Sequence, residues 1–81
     1  MSYRFVRRPE TLKMLGLSNT VLYGRINDGL VPPPVSLGGR SVAWVSTELD
    51  AVMAAMVNGS NPDELRNLVR ELVERRQELV A

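Results

Sequence analysis

The 81-residue sequence contains no cysteine and no histidine. Disulfides are therefore excluded, and so are thiolate or imidazole metal sites and catalysis by Ser-His or Cys-His pairs. The lack of cysteine fits a reducing, cytoplasmic setting. Aromatic residues are scarce, with one Trp, two Tyr and one Phe to anchor a core. No apolar run approaches the ~20 residues of a membrane span. The opening MSYRFVRRPE has no long apolar segment behind its charges, so it does not read as a signal peptide. The carboxylates are scattered over helix starts and form no acid-base pair. The expectation is a protein that is not an enzyme, with no cofactor, no small-molecule substrate and no membrane partner.

Apolar residues make up 44% of the chain, enough for one small domain with a thin core. The net charge of +1 hides an asymmetry: residues 1–47 hold six basic and two acidic residues, and residues 48–81 hold four basic and seven acidic. A basic surplus in the first half suits a nucleic-acid partner, although a segment of that length also drifts by a few charges by chance.

The stretch TLKMLGLSNTVLYGRINDG, from Thr11 to Gly29, lies in that basic half. Leu12 and Leu15 are spaced i, i+3, and Leu22 and Ile26 are spaced i, i+4, which predicts two short helices with one inner stripe each. The first spans Pro9 to Leu15 and breaks at Gly16; the second is capped by Ser18, spans Asn19 to Asp28 and stops at Gly29. So brief a connection is a helix-turn-helix signature, in which the second helix enters the DNA major groove by its N-terminal end. Asn19, Tyr23 and Asn27, at i, i+4 and i+8, stack on the face opposite Leu22 with Thr20 beside them. Such groups donate to phosphates and read base edges, although an ordinary polar helix face has the same pattern. Gly24 inside this helix allows a close backbone approach.

Tyr3, Phe5 and Arg7 alternate with Arg4, Val6 and Arg8, a strand-like period over residues 1–8. After the second helix, Val31-Pro32-Pro33-Pro34 cannot be helical and forms a rigid connector. In VSLGGRSVAWV, Val35 and Leu37 share one face and Val42 and Trp44 another, with Gly38-Gly39 as a hairpin turn. The tip of Gly39, Arg40 and Ser41 suits contact with a phosphate backbone or minor groove, unless Arg40 is simply a solvated turn charge. Trp44, in step with Val42, reads as a core anchor. Ser46 is a cap candidate for a third helix reaching about Asn58, with Leu49, Val52, Met53 and Met56 inside. Asn61-Pro62-Asp63-Glu64 starts a fourth, expected to run to the chain end along Leu65, Leu68, Val69, Leu72, Val73, Leu79 and Val80. Leu65, Leu72 and Leu79 lie seven apart with Leu68 at a d-like position, so homodimerisation through these leucines is weighed slightly ahead of packing within the chain.

From about residue 5 to residue 54 the sequence resembles the AlpA family of small prophage-type regulators, which have a MerR-like winged helix-turn-helix. The resemblance rests on Met14-Leu15-Gly16-Leu17-Ser18, Leu22-Tyr23, Ile26, Gly29, Pro32, Pro34-Val35, Leu37-Gly38-Gly39-Arg40, Trp44 and Glu48-Leu49-Asp50. It implies a mainly α fold with a small β-hairpin and a DNA-binding transcriptional regulator; relatives also act as excisionases that bend DNA. It would put Ser18, Asn19, Thr20 and Tyr23 on the recognition helix and Gly39, Arg40 and Ser41 on the wing. Asn19 and Gly24 depart from the family by standing where basic residues are usual, and Arg25 stands where the family tends to be apolar.

These readings define a DNA-binding domain at residues 1–58 and a C-terminal helix at 59–81 that is a dimerisation candidate. The partner is double-stranded DNA. Asn19 and Thr20 are the candidate base contacts, and Arg7, Arg8, Lys13, Tyr23 and Arg40 the candidate phosphate contacts. A rival reading from a different class makes the leucine-rich C-terminal helix a protein-interaction surface carried on a winged scaffold.

Overall fold

The computed structural model describes residues 2–79. Local chemistry sets most boundaries in its first half. Extended Arg7 precedes α1 (Arg8–Leu15), with Pro9 and Glu10 in the first turn, so the helix begins one residue ahead of Pro9. It ends at Gly16, whose φ of 67° is a left-handed conformation that favours glycine. Ser18 opens α2 (Asn19–Asn27) by accepting from the Val21 amide at 3.3 Å. That helix stops at Asn27, one residue short of the expected end, with Asp28 as its C-cap. Gly24 faces open space, with no atom of the chain close to where a Cβ would stand.

The proline connector leads into β2 (Val35–Gly38) and β3 (Ser41–Val45), which turn at Gly39 and Arg40. β1 (Phe5–Val6) pairs antiparallel with β3, giving the order β1-β3-β2. The period read over residues 1–8 thus narrows to a two-residue strand, with Phe5 opposite Val45 and Val6 opposite Trp44. Central β3 is buried on both faces, because Ala43 and Val45 are as hidden as Trp44. A two-residue period cannot report this; Arg76 and Leu79 from the chain's far end border the second face beside Val35 and Val45. Val35 and Leu37 do not form a common inner face: the register is irregular between Ser36 and Gly38, and Leu37 is exposed.

β3 runs directly into α3 (Ser46–Val57), and Ser46 is its first residue rather than its cap. The Ser46 hydroxyl accepts from the Arg4 amide and the Ser46 amide donates to the Arg4 carbonyl, each at 2.9 Å, so this residue extends the β1–β3 pairing instead. Leu49 and Val52 are buried and Met53 partly so, but Met56 is exposed and ends the inner stripe early. Trp44, Leu22, Leu49, Val6 and Val31 form the main core, flanked by Leu12, Leu15, Leu17 and Ile26. The Trp44 Nε1 has no acceptor among the described residues, so packing alone holds the indole.

Asn61 and Glu64 make a reciprocal capping box at the start of α4 (Pro62–Glu74). The helix does not continue to the chain end. It passes into a 3-10 turn at Arg75–Leu79, where Arg76 reaches inward to Glu48; Val80 lies outside the described residues. Leu65 and Val69 pack on Val52 of α3, with Leu30, Leu68, Leu72 and Val73 around them. The leucine stripe is therefore occupied largely within the chain, and the heptad reading fails at Leu79, which sits exposed on the 3-10 turn. The arrangement is a winged helix-turn-helix with an added C-terminal helix.

An ion pair between Arg4 and Glu10 ties the segment before β1 to α1. Its hydrogen bond and charge hold the Glu10 carboxyl below the usual carboxylate range. A lowered acid pKa adds stability that is complete above the unfolded value, about 4.3, and is lost as pH falls through the folded one. Both side chains are exposed, so the effect is small and salt-sensitive. Urea midpoints measured against pH at low salt should show this acid-side loss, and Glu10→Gln should remove that component.

Candidate nucleic-acid interface

All eleven candidate residues are exposed: Arg7, Arg8, Lys13, Ser18, Asn19, Thr20, Tyr23, Asn27, Gly39, Arg40 and Ser41. Four of them, Arg7, Arg8, Tyr23 and Arg40, line one groove of about 420 Å³ together with Pro9 and Val42. Three separate elements meet there: the N-terminus of α1, the middle of α2, and the hairpin. The turn from Gly16 to Ser18 sets α2 against α1, and the pairing of β1 with β3 brings the hairpin beside both. Tyr23 meets Trp44 edge-on, with ring centroids 6.4 Å apart and planes at 64°. One side of the phenol thus rests on the core while the residue remains exposed.

The other candidates do not line this groove. Asn19 and Thr20 form the exposed first turn of α2 beside its Ser18 cap, and Asn27 ends the same helix. The Ser18 hydroxyl accepts from Val21, which leaves its proton free to donate. Gly39 and Ser41 flank Arg40 at the hairpin tip. Lys13 lies on α1, and its charge is felt by Glu10.

Pairing divides the charges unevenly. Among the described residues, no carboxylate lies within ion-pair distance of Arg7, Arg8, Lys13, Arg25, Arg40 or Arg70, whereas Arg4, Arg66, Arg75 and Arg76 pair with Glu10, Asp63, Glu71 and Glu48. Near-neutral net charge therefore conceals three unneutralised guanidiniums, those of Arg7, Arg8 and Arg40, around one groove. The N-terminus of α1 adds to it: Arg7 supplies no side-chain cap, and helix starts carry partial positive charge. No group of acidic residues that could hold a metal ion occurs among the described residues. No described helix is long and apolar enough to cross a membrane.

Sequence reasoning missed Val42 and Pro9 as groove walls, since their position depends on how the hairpin sits over α1. Residues 4–56 match the family model described as prophage CP4-57 regulatory protein (AlpA). The chain belongs to the AlpA family. It is also 46% identical, over 56 residues, to the uncharacterised protein ORF88 of enterobacteria phage P4. That alignment covers 69% of this chain and 64% of the relative, so the chain spans less than two thirds of the relative's length. No solved structure matches the chain. The AlpA match ends at residue 56, inside α3, so it contains the whole groove and excludes α4.

Proposed function

We propose that this AlpA-family chain is a sequence-specific DNA-binding transcriptional regulator. In this reading α2 enters the major groove and the β2–β3 hairpin rests on the adjacent backbone as a wing. The observation that carries the reading is the shared groove of Arg7, Arg8, Tyr23 and Arg40, whose guanidiniums have no carboxylate partner among the described residues. Cations already neutralised inside the protein gain little from phosphates; free cations release counterions from DNA when they bind.

Asn19 and Thr20 reach base edges in this reading because the N-terminal residues of a recognition helix lie deepest in the groove. The contacts then all fall within residues 1–58, and the segment 59–81 stays off the duplex. Selection of bound sequences from random duplex DNA tests the reading directly, and the mass of the selected complex gives its stoichiometry. Asn19→Ala should relax preference at one base position, at a cost of ~1–3 kcal/mol on the selected site. Equal losses on the selected site and on random duplex would remove Asn19 from the base contacts.

A further inference from the structure

The segment joining α2 to β2, residues 28–34, is the one covalent link between the recognition helix and the wing. Two arginines of the C-terminal element bond to it. Arg66 Nε donates to the Asp28 carbonyl at 2.9 Å, at the end of α2. Arg76 Nη2 donates to the Pro33 carbonyl at 2.7 Å, two residues before β2. Between these points Leu30 packs with Leu65, Val69 and Val52.

Arg76 is itself held. Its guanidinium binds Glu48 through two bonds, Nε to Oε2 at 2.8 Å and Nη2 to Oε1 at 2.7 Å. The two side chains are only 20% and 6% exposed. A two-pronged pair in that setting fixes the guanidinium plane as well as its place. The second Nη2 proton goes to Pro33, whose neighbour Pro34 has no amide to contribute to a sheet ladder.

We propose that the C-terminal element is a positioning clamp: through Arg66 on Asp28 and Arg76 on Pro33 it sets the recognition helix and the wing at one fixed separation. Residues 59–81 would then act on DNA recognition without touching DNA, and that consequence rests on the function proposed above.

The absence of cysteine makes the direct test clean. Spin labels on the full chain at Val21→Cys, on α2, and Leu37→Cys, on β2, report the separation; both positions are exposed. The parent should give one narrow distance distribution. Arg76→Met alone leaves the Glu48 charge buried and risks unfolding, so the decisive variant is Glu48→Met with Arg76→Met. Replacing both partners of a buried pair by apolar residues is often neutral or stabilising. That variant, combined with Arg66→Met, should remain folded, with a cooperative urea transition, and yet give a broadened distribution. A distribution as narrow as the parent's, in a folded protein, would overturn the clamp. On duplex DNA the same variant should bind ~10-fold more weakly. Its salt slope should not change, because no phosphate contact is removed. A parent chain that bound no DNA would sink the functional reading, while the label distances would still decide the clamp.

Discussion

Trp44→Ala is expected to cost about 3–5 kcal/mol, the range for removing a large aromatic from a packed interior. Trp44 is 0% exposed and stands at the centre of the cluster with Val6, Leu22, Val31 and Leu49. A domain of 81 residues holds roughly 4–12 kcal/mol in total. The loss is therefore a large share of the whole, and from the low end of that range much of the population would unfold at 37 °C. No side-chain hydrogen bond is lost with the indole, since Nε1 has no acceptor among the described residues, so the cost is that of packing. Tyr23 loses its edge contact at the same time, which couples the core to the groove. Leu37→Ala, at an exposed position of the same hairpin, should stay within about 0.5 kcal/mol. Urea denaturation of both variants checks the contrast; a loss below about 1 kcal/mol for Trp44→Ala would mean that the core closes around the gap.

What the sequence disclosed depends on how far apart the interacting residues lie. The Gly16 turn, the Ser18 cap and the Asn61–Glu64 box were legible because each interaction closes within a few residues. Trp44 was legible as core from its step with Val42. The failures are long-range. Ser46 has the composition of a cap, but its hydroxyl serves Arg4, 42 positions earlier. Glu48 stands in the first turn of α3, where the helix dipole favours an acid, yet it is buried against Arg76, 28 positions later. That pair sits where the last helix gives way to a 3-10 turn, although the leucine period alone predicts continuation. The leucines pointed to a partner helix, and period alone cannot say which one; α3 of the same chain supplies it. Among the site residues, sequence placed Asn19, Thr20 and Tyr23 on one helix and Arg40 on a turn. That Tyr23 and Arg40 share a wall with Arg7 and Arg8 follows from the pairing of β1 with β3, for which a two-residue strand gives almost no signal.

The groove makes a collective prediction larger than that of any single contact. Arg7, Arg8 and Arg40 converge from two elements, so each should meet a phosphate of the same stretch of duplex if α2 lies in the major groove. Each phosphate contact contributes about 0.9 to the slope of log affinity against log salt, so Arg7→Ala, Arg8→Ala and Arg40→Ala together should flatten that slope by ~2.7. Between about 50 and 200 mM salt, the affinity ratio should then shrink by ~40-fold relative to the parent. Base preference should persist, because Asn19 and Thr20 are untouched and phosphate contacts carry no sequence information directly. The groove also explains why the combination should outweigh its parts in affinity: with all three guanidiniums gone, the wing and the start of α1 lose their hold together, and α2 alone must fix the register. Fluorescence anisotropy titrations across a salt series read both quantities. An unchanged slope would mean that the groove faces away from the duplex and that the recognition surface lies elsewhere on the chain.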